Sequence, residues 1–330
     1  MRPVFLLGIA AALYAQNPQV ENATLQTRAF SGSLQSMISS QGAGPFWAAW
    51  QEPIIAGRHG DMCWSNGNND SGHSTSAPIR LEGPTALLVL VRIENSQVDQ
   101  LRLATPDCRF DGGGLAFHWF SGVPAGESVA WLKSQVLEKK PDNAILAIAL
   151  HAGPEAERAL DDLTAASQPV KTRERAAFWL GNTRGAQGVA VLKRMLANEV
   201  SVPVREQVIQ ALTQSKEPEA IQIVIDTARN DKTPAVRSKA LFWLAQKAAN
   251  KQTQDIIAGA ARNDPELSVK EQAVFALKQL PGDQGIPLLI DVAKNNPDPA
   301  VRKKAIFWLG QSKDPRATEF FAQVLGDTRR

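Results

Sequence analysis

The sequence has no block of like charge, no apolar run of membrane-spanning length, and few cysteine or histidine residues. Its 330 residues carry 36 Lys and Arg against 33 Asp and Glu, a formal net charge of +3, with the two signs interspersed. Because nucleic-acid-binding proteins usually display clustered basic residues, this balance argues against a nucleic-acid partner. A transmembrane helix needs about 20 apolar residues in succession, so the sequence also predicts no membrane span.

The N-terminal segment has the three parts of an export signal. Arg2 supplies a positive charge, residues 4–13 are almost purely apolar, and Ala15 is a small residue suited to the cleavage position. The polar residues that follow at once disfavour the alternative of a buried N-terminal helix. The sequence therefore predicts a signal peptide over residues 1–15 and a secreted or periplasmic mature protein that starts near Gln16.

Residues 16–126 differ in composition from the rest of the chain. They are rich in Gly, Ser, Asn and Pro, and their apolar runs are short and bounded by turn-forming residues. This pattern predicts a small α+β domain. The elements predicted in it are strands over residues 85–93, 98–103 and 115–120, the first two forming a hairpin, and a short helix over residues 33–39.

Both cysteines, Cys63 and Cys108, lie in this domain. In an exported chain an even number of cysteines predicts a disulfide. A bridge across this separation of 45 residues would stabilise the fold by about 4 kcal/mol through chain entropy. A metal site is the alternative, since His59, His73 and His118 lie in the same domain. Their spacings match no common zinc pattern, so the disulfide is favoured and no metal site is predicted.

From residue 127 onwards helical periodicity replaces the strand signals, and one ten-residue pattern recurs. The anchoring leucines of successive copies lie 32, 32, 33 and 32 residues apart. A supersecondary unit that is stacked many times produces such a period. The five copies are TRERAAFWLG from Thr172, VREQVIQALT from Val204, VRSKALFWLA from Val236, VKEQAVFALK from Val269 and VRKKAIFWLG from Val301.

This V-R-x-x-A-x-x-x-L pattern resembles the HEAT-repeat family, in particular its short bacterial form, in which the segment is the second helix of each hairpin. The resemblance implies a mostly α protein: a right-handed α-solenoid of about six helical hairpins over residues 127–330, preceded by the small α+β domain. Residues 142–166 look like a degenerate further unit. The resemblance implies a binding role without naming a partner, because such arrays serve many roles. Through the pair Cys63-Trp64, residues 16–126 also resemble the front domain of secreted HEAT-repeat proteins of unknown role.

The second residue of all five copies is a cation. On a helical wheel this cation lies within the buried face. In the HEAT-repeat family it pairs with acids of the turns, for which Asp231, Asp264 and Asp298 are the candidates. Anion binding is the alternative, and a structural ladder is favoured because an unpaired buried charge is costly. The ladder consists of Arg173, Arg205, Arg237, Lys270 and Arg302.

The fifth residue after this cation is Phe in four copies, and it faces away from the buried side of the wheel. In a HEAT array this position lines the concave groove, so a row of exposed rings there predicts a partner-binding ridge. The alternative is that the rings only pack on one another. The row consists of Phe178, Phe242, Phe275 and Phe307, with Gln210 in the second copy. The next position alternates Trp179, Ala211, Trp243, Ala276 and Trp308, which predicts packing between repeats.

The sequence contains no signature of catalysis or of a cofactor. A G-x-S-x-G elbow, a phosphate-binding glycine loop and a c-type haem motif are all missing. All four histidines precede the clear repeats, so the repeats lack the His-Glu pairs with which some HEAT-like oxygenases hold iron. The prediction is a non-enzymatic scaffold or adaptor that binds a protein or peptide outside the cytoplasm. The alternatives are a front domain that is a metal-dependent enzyme or a glycan binder, and a purely structural spacer; the oligomeric state is open.

Overall fold

The computed structural model describes residues 18–42, 44–55, 86–138, 141–247 and 250–327. The chain divides into two compact units, residues 1–160 and residues 161–330. The predicted signal peptide and Cys63, His59 and His73 lie outside the described residues, so the export signal and the disulfide stay predictions. No helix in the described part of the chain is long and apolar enough to cross a membrane.

The first unit is built on a five-stranded mixed sheet. Its strands are β2 (Thr24–Ala29), β3 (Phe46–Pro53), β4 (Ala86–Glu94), β5 (Gln97–Ala104) and β7 (Ala116–Ser121), in the spatial order β2-β7-β3-β4-β5. β3, β4 and β5 are antiparallel neighbours, whereas β7 runs parallel to both β2 and β3. A separate parallel pair is formed by β1 (Gln19–Glu21) and β6 (Arg109–Asp111).

The small α+β domain predicted from the sequence is confirmed. The predicted hairpin is β4–β5, and its turn residues Asn95 and Ser96 both have positive φ, 52° and 59°, as a two-residue hairpin turn requires. The predicted third strand is β7. The predicted short helix is α1 (Leu34–Ser39), which starts after Ser33, whose hydroxyl accepts a hydrogen bond from the Ser36 backbone N–H.

β3 was not predicted from the sequence, although it is the central strand of the sheet. It pairs with β4 on one side and β7 on the other, and residues 46–50 are all buried. Because both faces of such a strand are covered, its side chains show no alternation of apolar and polar types. The run FWAAW that follows Gly44-Pro45 was the available signal.

Two helices after the sheet belong to the first unit. α2 (Ala125–Glu138) packs on β3 and α1, and α3 (Pro141–Leu150) packs on α2 and β5. Residues 144–150 are all buried, as expected for a helix enclosed by neighbours. From the sequence these helices were predicted to belong to the repeats from residue 127 onwards, whereas the two compact units divide after Leu160. The periodicity alone could not show that α3 packs on a sheet.

The second unit is an array of helical hairpins. Each copy of the repeated pattern forms one helix, called here a motif helix, and each motif helix packs on the next one. The intervening helices pack on the motif helices before and after them. The motif helices are α5 (Val170–Thr183), α7 (Val202–Gln214), α9 (Pro234–Lys247), α11 (Leu267–Lys278) and α13 (Pro299–Gly310). The others are α4 (Pro154–Leu163), which spans the division, α6 (Gly185–Asn198), α8 (Pro218–Asn230), α10 (Lys251–Asn263), α12 (Gly285–Asn295) and α14 (Pro315–Asp327).

The predicted α-solenoid is therefore confirmed. The five anchoring leucines form its repeating core and are buried in every hairpin: Leu180, Leu212, Leu244, Leu277 and Leu309. Burying such a side chain stabilises the fold by about 1.5–3 kcal/mol. Since each motif helix also packs on the next one, the hairpins depend on one another for stability.

Candidate interaction surface

In the first four motif helices, the cation at the start of the helix binds the turn that precedes the next motif helix. Positions in a motif helix are counted from this cation. Arg237 Nε and Nη2 donate to the carboxylate of Asp264 at 2.8 and 2.7 Å, and Arg237 Nη1 donates to the Asp231 carbonyl at 2.8 Å. Arg205 bonds the Asp231 carboxylate and donates to the Thr233 hydroxyl at 3.0 Å. The bond with Asp264 raises the pKa of Arg237 above its ordinary value.

The other members of the ladder vary in their partners. Arg173 Nε donates to Glu199 at 2.7 Å, and this pair is buried. Lys270 Nζ lies 3.9 Å from Asp298, at the limit of an ion pair. Arg302 Nη1 donates to the Asn296 carbonyl at 2.7 Å. Arg302 thus bonds the turn before its own helix, whereas the other four cations bond the turn before the next motif helix, so the contacts of the ladder are structural.

The Phe row at position +5 forms an aromatic surface that is partly open to solvent. Phe307 is 53% exposed, and Phe178, Phe242 and Phe275 are half-buried. The Phe242 and Phe275 rings are nearly parallel, with centroids 6.4 Å apart, and the Phe275 centroid lies 5.2 Å from that of Trp308. Two of the four rings therefore contact each other, and all four still reach the surface.

Each tryptophan at position +6 packs edge-on against the Phe before it. The centroid distances are 4.9 Å for Phe178–Trp179, 5.3 Å for Phe242–Trp243 and 5.0 Å for Phe307–Trp308. The indole nitrogens of Trp179, Trp243 and Trp308 are shielded from solvent and lack a hydrogen-bond partner among the described residues. The N–H edge of each indole is thus buried in the helical array, and the tryptophans pack against the Phe row from its inner side.

Polar side chains border the row on both sides, and the sequence analysis did not single them out. Positions +2 and +9 lie one helical turn before and after position +5, on the same helix face. An apolar centre with a polar rim is the usual anatomy of a protein–protein interface. The signal for these rows in the sequence was an amide or a cation at both positions in every copy. The two rows are Arg175, Gln207, Lys239, Gln272 and Lys304 at +2, and Asn182, Gln214, Gln246, Gln279 and Gln311 at +9.

The first unit contains a cavity of about 800 Å³ beside α1 and α2. Gln35, Glu127, Trp131 and Gln135 line it together with apolar and serine residues. Trp131 Nε1 donates to Gln35 Oε1 at 3.1 Å, and the Leu34 backbone N–H donates to Glu127 Oε2 at 3.4 Å. Neither the cavity nor its lining was predicted, because the lining residues are far apart in the sequence.

A buried carboxyl group lies elsewhere in the same unit. Glu52, at the end of β3, is 1% exposed. Its Oε1 accepts hydrogen bonds from the Ser128 hydroxyl and, at 3.3 Å, from Trp50 Nε1. Burial raises the pKa of Glu52 to about 7, and the two hydrogen bonds offset only part of this effect.

In the described part of the chain no group of three or more His, Cys, Asp or Glu side chains could hold a metal ion. His118 is buried with its ring centroid 5.2 Å from that of Phe46. Burial, and secondarily the charge of Arg28, lower the pKa of His118. Cys108 is buried with its Sγ 3.4 Å from the Thr105 hydroxyl. The metal alternative also involves Cys63, outside the described residues.

Comparison with known proteins points to the repeats. A family model described as HEAT repeats matches residues 157–245 and 253–330, slightly more than half of the chain. No curated protein matches the chain.

Among solved structures, the chain is similar to the complex of CpcE and CpcF of phycocyanin lyase from Nostoc sp. PCC7120, with 21% identity, 48% of this chain and 98% of that chain covered, and a TM-score of 0.36. It is similar to human deoxyhypusine hydroxylase, with 18% identity, 60% and 78% covered, and a TM-score of 0.31. It is also similar to Kap95p bound to RanGDP, with 17% identity, 56% and 29% covered, and a TM-score of 0.37. These similarities carry no argument about activity or partner.

Proposed function

Because the chain belongs to the HEAT-repeat family, we propose that it is a non-catalytic scaffold or adaptor that binds a protein or peptide along its motif helices, outside the cytoplasm. The observation that carries this proposal is the row Phe178, Phe242, Phe275 and Phe307. Its rings are partly exposed in register, and polar side chains border them. In a HEAT array the motif helices line the concave side, and this supports the proposal that the row faces the groove.

The chemistry of the row suits a protein surface. Covering an exposed aromatic ring removes apolar area from water, and full burial of one Phe is worth about 1.5–3 kcal/mol. Position +9 offers Asn or Gln in every copy, and an amide both donates and accepts hydrogen bonds. A partner that covers the rings would therefore find hydrogen-bonding groups at the edge of the contact.

Site-directed photo-crosslinking tests this proposal. A photoreactive phenylalanine analogue at Phe178 or Phe307 should crosslink one and the same partner in cells that make the protein, because both positions face the groove. The same analogue at Val200, which is 90% exposed in a turn, is the control and should not give that product.

Substitution of the row supplies the second measurement. The double change Phe178→Gln and Phe307→Gln should weaken binding of the identified partner by about tenfold or more, while Val200→Gln leaves it unchanged. Melting temperatures of the three proteins separate binding from stability. Equal partner binding by the row variant and the unsubstituted chain would contradict the proposal.

The location outside the cytoplasm is a proposal that rests on residues 1–15. N-terminal sequencing of the protein from producing cells should give a chain that starts at Gln16 or close to it. Deletion of residues 2–15 should leave the protein in the cytoplasmic fraction. An unprocessed N-terminus in the cytoplasm would contradict this part.

The cavity in the first unit favours a second candidate function, binding of a small polar ligand such as a glycan. Trp131 offers an indole, and Gln35, Glu127 and Gln135 offer hydrogen-bonding groups. In a glycan array the full chain should then show a ligand whose binding is lost with Glu127→Gln and is unaffected by Phe307→Gln. Absence of any Glu127-dependent ligand would dismiss this candidate.

A further inference from the structure

The last motif helix exposes a face that the four earlier ones cover. Position +4 is fully buried in α5, α7, α9 and α11, where it is Ala177, Ile209, Leu241 and Val274, whereas Ile306 of α13 is 42% exposed. On α14, Val324 and Leu325 are 46% and 64% exposed, although the equivalent residues of α12, Val292 and Ala293, are buried. We call Lys303, Ile306, Phe307, Gly310, Val324 and Leu325 the end face.

The covered hairpins show what this face accepts. In each of them the positions equivalent to Ile306 lie under the next motif helix, which packs along the preceding one. The end face consists of the same positions as the surface on which the next motif helix packs in the four earlier hairpins. Its apolar side chains lie on two neighbouring helices. An amphipathic helix is therefore the occupant whose shape fits.

The contacts between motif helices also show which positions meet. Position +8 lies against position +6 of the next motif helix: a Cβ added to Gly181 would be 2.2 Å from the Ala211 carbonyl oxygen, and Lys278 Nζ lies 6.0 Å from the Trp308 ring centroid. Position +1 meets position +2 of the next motif helix, because Glu206 and Lys239 form an ion pair at 3.6 Å.

The +8 and +6 residues match in size. The small residues Gly181 and Ala245 precede helices with Ala at +6, and the longer Thr213 and Lys278 precede helices with Trp. α13 has the same residues FWLG at positions +5 to +8 as α5, and at Gly310 an added Cβ would meet only Phe321 Cζ at 4.0 Å. Gly310 therefore leaves room for a close helix that has alanine at the crossing point.

The charge on the end face adds a second requirement. Lys303 is exposed at position +1, where Glu206 pairs with a cation at +2 of the next helix. Because Lys303 is positive where Glu206 is negative, the residue that complements it, at +2 of the bound helix, is acidic. In the occupant the acid and the alanine are then four residues apart and lie on one side of the helix.

We propose that the end face binds an amphipathic helix of a partner protein, with an acidic residue facing Lys303 and an alanine, four residues later, against Gly310. This helix lies against α13 and the end of α14 as one more motif helix. The inference goes beyond the proposed function, because the end face shares only Phe307 with the groove.

A labelled synthetic peptide with the sequence of residues 202–214 and the change Gln207→Glu is the probe, since it carries Ala211 at +6 and an acid at +2. A staple on its solvent side holds it helical, because short isolated helices are marginal in water. Its binding to the full chain is measured by fluorescence anisotropy. A peptide with Ala211→Leu should bind about tenfold more weakly, because it overfills the crossing point.

Variants of the chain locate the contact. Gly310→Leu should weaken binding of the peptide by about tenfold through the same overpacking, while Gly259→Leu, at a glycine with no atom within 4 Å of an added Cβ, should leave it unchanged. The unsubstituted chain should bind the Gln207→Glu peptide about two- to fivefold more tightly than a Gln207→Lys peptide. Lys303→Glu should reverse this preference by a similar factor.

Three outcomes would overturn the inference. They are absence of peptide binding, binding that Gly310→Leu and Lys303→Glu leave unchanged, and self-association. In the last case light scattering would find the full chain to be a dimer that Gly310→Leu dissociates. The end face would then bind a second copy rather than a partner helix.

Discussion

At the scale of single residues, Glu52 shows how burial decides the state of a side chain. It lies at the end of β3, where its Oε1 accepts hydrogen bonds from Trp50 of the same strand and from Ser128 of α2. Its other carboxyl oxygen has no hydrogen-bond partner among the described residues. Removal from water disfavours the charged form, so the pKa of the carboxyl rises from 4.5 to about 7. The unfolded chain returns this group to water and to its ordinary pKa.

This difference makes stability depend on pH. Because the folded state holds the proton more tightly, the full stability is present below the unfolded pKa near 4.5 and is lost as pH rises through the folded pKa near 7. The loss attributable to Glu52 is about 3 kcal/mol. Glu52→Gln should remove this fall from the free energy of unfolding, measured with urea from pH 4.5 to 8. Glu157→Gln, at an exposed position of α4, is the control, and the prediction fails if both variants keep the slope of the parent.

At the scale of elements, small residues set the distance between neighbouring helices. Gly181 brings α5 against the backbone of α7 at Ala211, and Gly285 brings the start of α12 against the Leu277 carbonyl of α11. A glycine in a helix costs about 0.5–1 kcal/mol relative to alanine. That cost is offset here, because the close helices bury the anchoring leucines.

A pair of matched substitutions tests this role. Gly181→Ala should lower the free energy of unfolding by about 1–3 kcal/mol, since the new Cβ would overlap backbone that cannot give way. Gly259→Ala on α10, where an added Cβ meets nothing within 4 Å, should raise it by about 0.5–1 kcal/mol. Urea unfolding of both variants gives the two values. If both variants changed the free energy of unfolding in the same direction, close packing at Gly181 would not be what distinguishes the two glycines.

At the scale of the whole molecule, the chain consists of two compact units that differ in how their contacts are distributed along the sequence. The hairpins of residues 161–330 contact their neighbours in the chain, whereas the sheet of the first unit joins segments that are distant in sequence. The second unit therefore has the local contacts of a repeat array, whose hairpins stabilise one another in succession.

The position of the division has a measurable consequence. A fragment of residues 16–160 should fold, whereas residues 16–126 alone should aggregate, because they lack the buried Leu132, Ile145 and Ile148 of α2 and α3. Loss of three such side chains removes about 4.5–9 kcal/mol of hydrophobic stabilisation, comparable with the whole stability of a domain. Size-exclusion chromatography and circular dichroism of the two fragments give the answer. A soluble, folded 16–126 fragment would place the boundary at Gly126 instead.

The sequence by itself determined the repeat array and its faces. Motif helices recur with a nearly constant period, and a helix buries every third or fourth residue, so Leu180 and its equivalents had to form the core. The turn residues at Asn95 and Ser96 likewise determined the hairpin β4–β5, because the conformation of a turn depends on a few adjacent residues.

Only the tertiary structure decided which residues far apart in the sequence come together. It placed β3 at the centre of the sheet, enclosed Glu52 under α2, joined α3 to the first unit and left Ile306 exposed where Ile209 and Leu241 are covered. Burial at these positions depends on neighbours from other elements. A local pattern specifies which face of an element is apolar, but it does not specify what covers that face.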